Sequence, residues 1–255
     1  MEQLIPISHA DLVTTHECNM RCPFCIDKFR GQKGFIPLPV VEGFLNLLKE
    51  RTCKTTAFKF DTNPKLEVLL LGGEPTLMTY DYLFEVASMC HERGFQICMS
   101  TNGTNEARIR EVLPFFDWVQ ITVHNEAQID KWADWTHKVN LKFVGDESMT
   151  LSRFIKLSGY SKLFDRRSMS MYFTPEFEEL CTDKDLWNLL DRLVWERQGS
   201  YWYTFLDCVR IKKCVKGETN IIDEPLIPKL YPNGNYNKTW MNEDNDPYLG
   251  EIKGA

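Results

Sequence analysis

The sequence has no long apolar segment and no secretion signal at its first residues. No run approaches the ~18 consecutive apolar residues of a membrane-spanning helix. The opening stretch MEQLIP lacks a basic segment followed by a long apolar core. We therefore expect a protein without membrane association that resides in the cytoplasm.

Cysteine is too sparse for a disulfide scaffold. The chain has nine cysteines in 255 residues, an odd number at irregular spacing. Such usage indicates reduced thiols in a reducing compartment. With 43% hydrophobic and 13% aromatic residues, the chain is long enough for one sizeable core and a small appendage.

Positive charge is also in short supply. The net charge is −6, which argues against an extended nucleic-acid-binding surface, because phosphate binding depends on clustered Lys and Arg. Short basic groups occur around Lys28 to Lys33 and around Arg210 to Lys216, and each is either a local basic patch or a solvated loop. The sequence has no fixed-period repeat and no low-complexity tract.

One short stretch concentrates the metal-binding side chains. Cys18, Cys22 and Cys25 place three thiols within eight residues, and thiolates are soft ligands that select zinc, copper(I) or iron–sulfur centres. A closed zinc site or an ordinary cubane takes four protein ligands, so a triplet leaves one metal position for another molecule. Two other interpretations stay open on these residues alone: a zinc site completed by His16 or a distant cysteine, and buried cysteines without metal.

The spacing Cys-x3-Cys-x-aromatic-Cys, with Phe24 as the aromatic residue, resembles the signature of the radical S-adenosylmethionine (SAM) superfamily. The resemblance implies that Cys18, Cys22 and Cys25 hold a [4Fe–4S] cluster whose fourth iron is chelated by SAM. It also implies that Phe24 packs near the adenine of SAM.

Two further segments match the family in the family's order. Residues 69–75, LLLGGEP, resemble its strand and Gly-Gly-Glu-Pro turn, and residues 100–104, STNGT, resemble the turn that ends its next strand. The resemblance implies that Gly72 and Gly73 let the backbone approach the methionine amino group of SAM and that Glu74 accepts from that group. It places Ser100, Thr101 and Asn102 at the cofactor as well.

Three more residues are expected near SAM, on later strands. Thr122 matches a hydroxyl position that touches the ribose in the family, whereas His124 stands where the family commonly has an acid. His124 would therefore meet the ribose, reach the substrate or cap the next helix. Lys142 interrupts an apolar strand and would pair with the SAM carboxylate or extend to the rim.

The apolar periodicity predicts strands that alternate with helices. Strands are expected at 10–15, 68–71, 96–100, 118–123, 139–144 and 168–173, and helices at 40–51, 80–93, 104–113, 126–136, 150–158 and 182–197, with a further strand at 56–60. Six strand–helix units imply a parallel sheet with right-handed crossovers. Together with the resemblance, they predict an α/β fold, a partial (β/α)6 barrel over residues 1–200. In such a barrel the carboxyl ends of the strands converge on one mouth, which is where each marker falls.

Residues 201–255 are expected to form a C-terminal extension that caps the barrel and the substrate pocket. Its phrases around residues 230–234 and 247–250 resemble a SPASM-type segment depleted of cysteine, since only Cys208 and Cys214 remain. A full auxiliary cluster is therefore not expected there.

The resemblance implies an enzyme that cleaves SAM to a 5′-deoxyadenosyl radical, with electrons from a flavodoxin- or ferredoxin-type donor. The radical would abstract hydrogen from a small-molecule or nucleotide-like substrate. The alternative within the family is a peptide- or protein-modifying enzyme, including one that activates a glycyl-radical enzyme. Outside enzymology the alternatives are a zinc-stapled binding module and an iron–sulfur electron carrier.

Overall fold

A computed structural model of the chain describes residues 9–22, 25, 33–51, 66–146, 148–160, 169–173, 180–189, 229–232 and 236–237. Within the chain, contacts define two compact units: Met1–Val119 with Pro225–Ala255, and Gln120–Glu224. The strand expected at 56–60, Phe24, Cys208, Cys214 and helix residues 190–197 lie outside the described residues.

Strands and helices alternate as the sequence predicts. The strands are β1 (His9–Thr15), β2 (Glu67–Gly72), β3 (Gln96–Thr101), β4 (Trp118–Val123), β5 (Val139–Gly145), β6 (Met169–Phe173), β7 (Lys229–Leu230) and β8 (Tyr236–Asn237). The α-helices are α1 (Leu38–Arg51), α2 (Tyr80–Glu92), α3 (Glu106–Val112) and α4 (Leu151–Tyr160), with 3₁₀ helices at Pro75–Leu77, Leu113–Phe115 and Glu126–Trp135. Residues 184–189 are also helical. The six predicted strands are confirmed to within one or two residues.

The first unit is a sheet centred on β1. Its strands lie in the order β3-β2-β1-β7-β8, and β1, β2 and β3 are parallel, with Leu12 beside Leu70 and Leu70 beside Met99. These three side chains are fully buried, as are Phe44 of α1 and Leu83 of α2. Burying a side chain of this kind stabilises a fold by roughly 1.5–3 kcal/mol. Apolar burial therefore fixes the register that brings the ends of β1, β2 and β3 together.

The second unit contains β4, β5 and β6 in that order, with β5 and β6 parallel. Along β5 the side chains of Leu141 and Phe143 are buried and Lys142 is half-buried. Because successive residues of a strand point to opposite faces, Lys142 lies on the face opposite to these apolar neighbours. In α4, Phe154 and Leu157 supply the buried side.

Two predicted helices differ from expectation. The helix expected at 126–136 is a 3₁₀ helix, Glu126–Trp135, which begins with a capping box between Asn125 and Gln128. The helix expected at 104–113 begins only at Glu106, because the Asn105 side chain accepts from the backbone N–H of Arg108 and caps α3 there. None of the described helices has the length and apolarity to cross a bilayer.

The described part of the C-terminal extension adds two strands to the first unit. β7 runs parallel to β1, with Leu230 beside Leu12, and β8 pairs with it antiparallel. Leu230 and Tyr231 are fully buried. A capping role for the rest of residues 201–255 stays a prediction.

Candidate cluster and cofactor site

The cysteine loop leaves the sheet at the carboxyl end of β1 and returns to it. The Thr15 hydroxyl donates to the Gly34 carbonyl at 2.8 Å, and the backbone N–H of Ile36 donates to the Thr14 carbonyl at 3.2 Å. The Gly34 N–H donates to the Glu17 carboxylate at 3.4 Å. Both ends of the loop are thereby fixed at one point of the sheet edge.

The three cysteines are accessible on this loop and carry no disulfide. Cys18 and Cys22 are half-buried and Cys25 is exposed. The backbone N–H of Met20 donates to the Cys18 sulfur at 3.4 Å, and the N–H of Cys25 donates to the Cys22 carbonyl at 3.2 Å. Among the described residues no three His, Cys, Asp or Glu side chains are grouped to hold a single metal ion. A cubane does not require such grouping, because each sulfur binds its own iron.

The two glycines after β2 permit a close backbone approach to the cysteine loop. The N–H of Gly73 donates to the Thr15 carbonyl at 2.7 Å, and the N–H of Glu74 donates to the Glu17 carbonyl at 2.8 Å. Gly72 has a φ of +121°, and a Cβ on Gly72 or Gly73 would collide with the carbonyl oxygen of Thr15 or Glu17, respectively. The turn and the loop are therefore packed backbone to backbone. The expected approach of these glycines to the methionine amino group stays a prediction.

Glu74 is fully buried and joins β2 to the end of β3. Its Oε1 accepts from the Thr76 hydroxyl at 2.6 Å, the Thr76 N–H at 3.1 Å and the Thr101 hydroxyl at 2.6 Å. Its Oε2 accepts from the Asn102 N–H at 2.8 Å. The carboxylate is thus held by four donors from the protein, and the remaining lone-pair capacity is on Oε2.

Asn102 connects the turn after β3 to the cysteine loop. Its Nδ2 donates to Asn19 Oδ1 at 2.8 Å and lies 3.9 Å from Cys18 Sγ. Its Oδ1 accepts from the hydroxyl and the N–H of Thr104 at 2.6 and 3.0 Å, and Asn19 Nδ2 donates back to the Thr104 hydroxyl at 2.8 Å. The three predicted segments, the cysteine loop and the turns after β2 and β3, are therefore joined by hydrogen bonds within one unit.

The remaining residues predicted at the cofactor lie on strands β3, β4 and β5 or directly after them. Ser100 is half-buried in β3. In the second unit Thr122 is half-buried in β4 and Lys142 half-buried in β5, while His124 is exposed after β4. The cap of the following helix is Asn125, so the capping alternative for His124 is wrong. Contact of Ser100, Thr122, His124 and Lys142 with SAM stays a prediction.

Two of the three described cysteines outside the loop are core residues, and the third, Cys181, is half-buried. Cys90 and Cys98 are fully buried, and burial raises the pKa of the Cys90 thiol to about 12. A thiol of that kind stays protonated and is a poor metal ligand. Cys90 and Cys98 are therefore structural residues of the core.

Sequence reasoning missed Asn19, Thr76 and the side chain of Thr104. Each is a short polar residue in a turn, where Asn and Thr commonly bond to neighbouring backbone groups. That signal indicates a local turn. It does not reveal that Asn19 and Thr104 meet across 85 residues of sequence.

Comparisons with known proteins identify the family of this chain. The Radical SAM superfamily profile matches residues 12–154. This range contains the cysteine loop and the turns after β2 and β3. Since the match covers more than half of the chain, this protein belongs to the radical SAM superfamily.

Two curated relatives are similar over part of their length. A protein of Methanocaldococcus jannaschii, named as a candidate glycyl-radical enzyme activating enzyme, is 28% identical over 133 residues, which are 51% of this chain and 48% of the relative. A protein of Fibrobacter, named S-adenosylmethionine-dependent nucleotide dehydratase, is 30% identical over 130 residues, 50% of this chain and 34% of the relative. The matched region thus spans half or less of these relatives.

Solved structures share the fold. SuiB of Streptococcus suis, in a complex with S-adenosylmethionine, aligns with a TM-score of 0.62 at 13% identity, covering 97% of this chain and 64% of SuiB. The enzyme anSMEcpe, with AdoMet and a peptide bound, aligns with a TM-score of 0.60 at 13% identity, covering 97% of this chain and 79% of that protein. The fold is therefore the α/β partial barrel of radical SAM enzymes, as the sequence predicts.

Proposed function

We propose that this protein is an enzyme that holds a [4Fe–4S] cluster on Cys18, Cys22 and Cys25 and uses it to cleave SAM reductively. The observation that carries the proposal is the connection of the cysteine loop to the turns after β2 and β3, by the Gly73, Glu74 and Asn102 hydrogen bonds. A loop built only to hold its own metal would not need both turns.

The side chains present fit such a cluster. Three thiol groups on one accessible loop are the soft donors that iron–sulfur clusters take. The Met20 N–H and the Asn102 amide direct N–H groups at the Cys18 sulfur, and a thiolate there gains from such donors. When bound, the cluster would supply the electron that divides SAM into methionine and a 5′-deoxyadenosyl radical.

This chain's own residues have positioning roles in the proposal. Glu74 fixes the turn after β2, with Oε2 left to accept from the methionine amino group of SAM. Thr122, His124 and Lys142 would contact the ribose, the substrate or the carboxylate of SAM. A flavodoxin- or ferredoxin-type donor would supply electrons, and a reducing cytoplasm suits three thiols on an accessible loop.

For the substrate we propose a nucleotide-like molecule, from which the radical removes hydrogen. Its support is the similarity to proteins named S-adenosylmethionine-dependent nucleotide dehydratases, at 30% identity over 130 and 108 residues. A peptide or glycyl-radical protein is the second candidate. Its support is the relative named for glycyl-radical enzyme activation and the peptide bound to SuiB.

The test is anaerobic reconstitution followed by turnover. Wild-type protein should be brown, hold close to four irons per chain, and form 5′-deoxyadenosine from SAM with dithionite. Cys22→Ala should lose the colour and at least 100-fold of SAM cleavage, because one ligand position is gone. Cys181→Ser, which alters a half-buried cysteine outside the loop, should keep both.

The outcomes separate the alternatives. Colourless protein that holds zinc would identify a binding module, and brown protein that forms no deoxyadenosine would identify an electron carrier. SAM cleavage by Cys22→Ala protein would refute the ligand assignment. Deuterated nucleotides and peptides, assayed for label in 5′-deoxyadenosine, distinguish the two substrate classes.

A further inference from the structure

The orientation of the Asn102 side-chain amide is fixed by its neighbours. The backbone N–H of Thr104 can only donate, so the atom that it contacts at 3.0 Å must be the amide oxygen of Asn102. The Thr104 hydroxyl accepts from Asn19 Nδ2 and therefore directs its own hydrogen to the same oxygen. A flipped amide would break both contacts. The Asn102 nitrogen consequently faces the cysteine loop.

That nitrogen has two hydrogens and two acceptors. One acceptor is Asn19 Oδ1 at 2.8 Å, and the other is the Cys18 sulfur at 3.9 Å, a distance within reach of a hydrogen bond to sulfur. The Cys18 sulfur also receives the Met20 backbone N–H at 3.4 Å. In the described part of the loop, Cys18 thus has two N–H groups directed at its sulfur, one of them from a distant strand end.

We infer that Asn102 is a positioning residue for the cluster. By donating a hydrogen bond to the Cys18 thiolate, Asn102 raises the reduction potential of the cluster. The inference rests on the proposed function. Hydrogen bonds to ligand sulfurs are one of the determinants of iron–sulfur potentials. An N–H directed at the sulfur stabilises the reduced state, which carries one more negative charge, so the bond raises the potential. Asn102 thereby couples the turn after β3 to the ease of cluster reduction, a role distinct from contact with SAM.

The matched pair of variants is Asn102→Ala and Asn19→Ala. Three side-chain hydrogen bonds are described between the cysteine loop and this turn: Asn102 to Asn19, Asn102 to Cys18, and Asn19 to Thr104. Each variant removes two of the three, but only Asn102→Ala removes the one to sulfur. A loss of loop rigidity would affect both variants alike, whereas loss of the N–H···S bond affects one.

The experiment is a redox titration of the reconstituted proteins without SAM, in which electron paramagnetic resonance measures the reduced cluster. Asn102→Ala should lower the ratio of reduced to oxidised cluster at a fixed applied potential by about tenfold, which is ~59 mV for one electron. Asn102→Asp, which places a negative oxygen at the sulfur, should lower it further. Asn19→Ala should stay within twofold of wild type.

Equal shifts in Asn102→Ala and Asn19→Ala, or no shift in Asn102→Ala, would overturn the inference. If Asn102→Ala is folded but releases its iron, the rate of iron loss to a chelator becomes the measurement. Asn19→Ala must then retain iron like wild type, and equal loss again overturns the inference. Wild-type protein that binds no cluster would contradict the proposed function instead.

Discussion

The two ends of the strands in the first unit both bury charged side chains, but the partners differ in kind. At the carboxyl ends, Glu74 accepts from hydroxyl and backbone N–H groups of the turns. At the amino ends, His9 lies 2.9 Å from Asp11 and 3.3 Å from Glu67, and the Trp118 indole donates to Glu67 at 3.0 Å. One end uses charge to hold loops, and the other pairs opposite charges between strands.

The carboxyl ends of the strands thus position the candidate site, whereas the amino ends contribute to the stability of the fold. The partners of Glu74 lie in the two turns that contact the cysteine loop, so its loss would displace the candidate site. His9, Asp11, Glu67 and Trp118 connect β1, β2 and β4 and lie away from the cysteines. In barrels of parallel strands, chemistry occurs at the carboxyl ends and the opposite face contributes to stability. Substitutions at the two ends should therefore have separable effects.

The largest effect should come from Glu74→Ala. The variant leaves the hydroxyls of Thr76 and Thr101 and the Asn102 N–H without their acceptor in a buried place. Hydrogen bonds to charged groups contribute roughly 1.5–3 kcal/mol each and are not additive, so we expect a loss of about 3–5 kcal/mol in the free energy of unfolding. Denaturant unfolding monitored by circular dichroism measures it, and cluster loading should fall with it.

The control is Glu85→Ala, which removes an exposed glutamate from α2. Its unfolding free energy should stay within about 0.5 kcal/mol of wild type. If Glu74→Ala were as mild as this control, the carboxylate would not be holding the turns, and the contrast between the two strand ends would fail.

Next in size is Gly73→Ala. The added Cβ would collide with the Glu17 backbone, so the cysteine loop must move, at about 1–3 kcal/mol. Iron per chain after reconstitution should fall by more than half. Gly159→Ala adds a Cβ in α4, where no atom lies within 4 Å, and should leave unfolding and iron content unchanged or slightly improved. Full iron loading in Gly73→Ala would show that the close approach is dispensable.

The sequence predicts the fold well because buried parallel strands leave continuous apolar runs such as Val68 to Leu71. It also predicts which segments meet, since each follows a strand. It predicts less well what the polar residues contact. A role of Glu74 at the cofactor stays a prediction, whereas its four described partners, all of them protein groups, were not predicted, because a buried carboxylate takes donors wherever the fold supplies them.

The helix type after β4 and the two C-terminal strands were also beyond sequence reasoning. The periods of α-helix and 3₁₀ helix are close, so apolar spacing over 126–135 does not separate them. β7 has only two residues, Lys229 and Leu230, and is too short to show the alternation of apolar and polar residues that identifies a strand. Their placement depends on the free edge of β1, a tertiary feature.

A separate effect at the amino ends is the pH dependence that His9 should confer. Burial by itself lowers the pKa of His9, but hydrogen bonds to Asp11 and Glu67 and their negative charges outweigh it and raise the pKa to about 10 from its ordinary 6.5. Between these values the folded chain holds a proton that the unfolded chain releases. Its stabilising contribution is therefore full below pH 6.5 and lost as the pH rises through about 10.

Measuring the free energy of unfolding from pH 6 to 10 tests this. His9→Gln should remove most of the decline that wild type shows over this range, because the variant has no proton to release there. Trp118→Phe deletes the indole donor to Glu67 without removing an ionising group, so its curve should lie below wild type by roughly 1.5–3 kcal/mol at every pH. Parallel curves for wild type and His9→Gln would mean that the charge pair contributes nothing. The amino ends of the strands would then be held without the His9 charge pair, while the Glu74 network would stand unaffected, since its partners do not include His9.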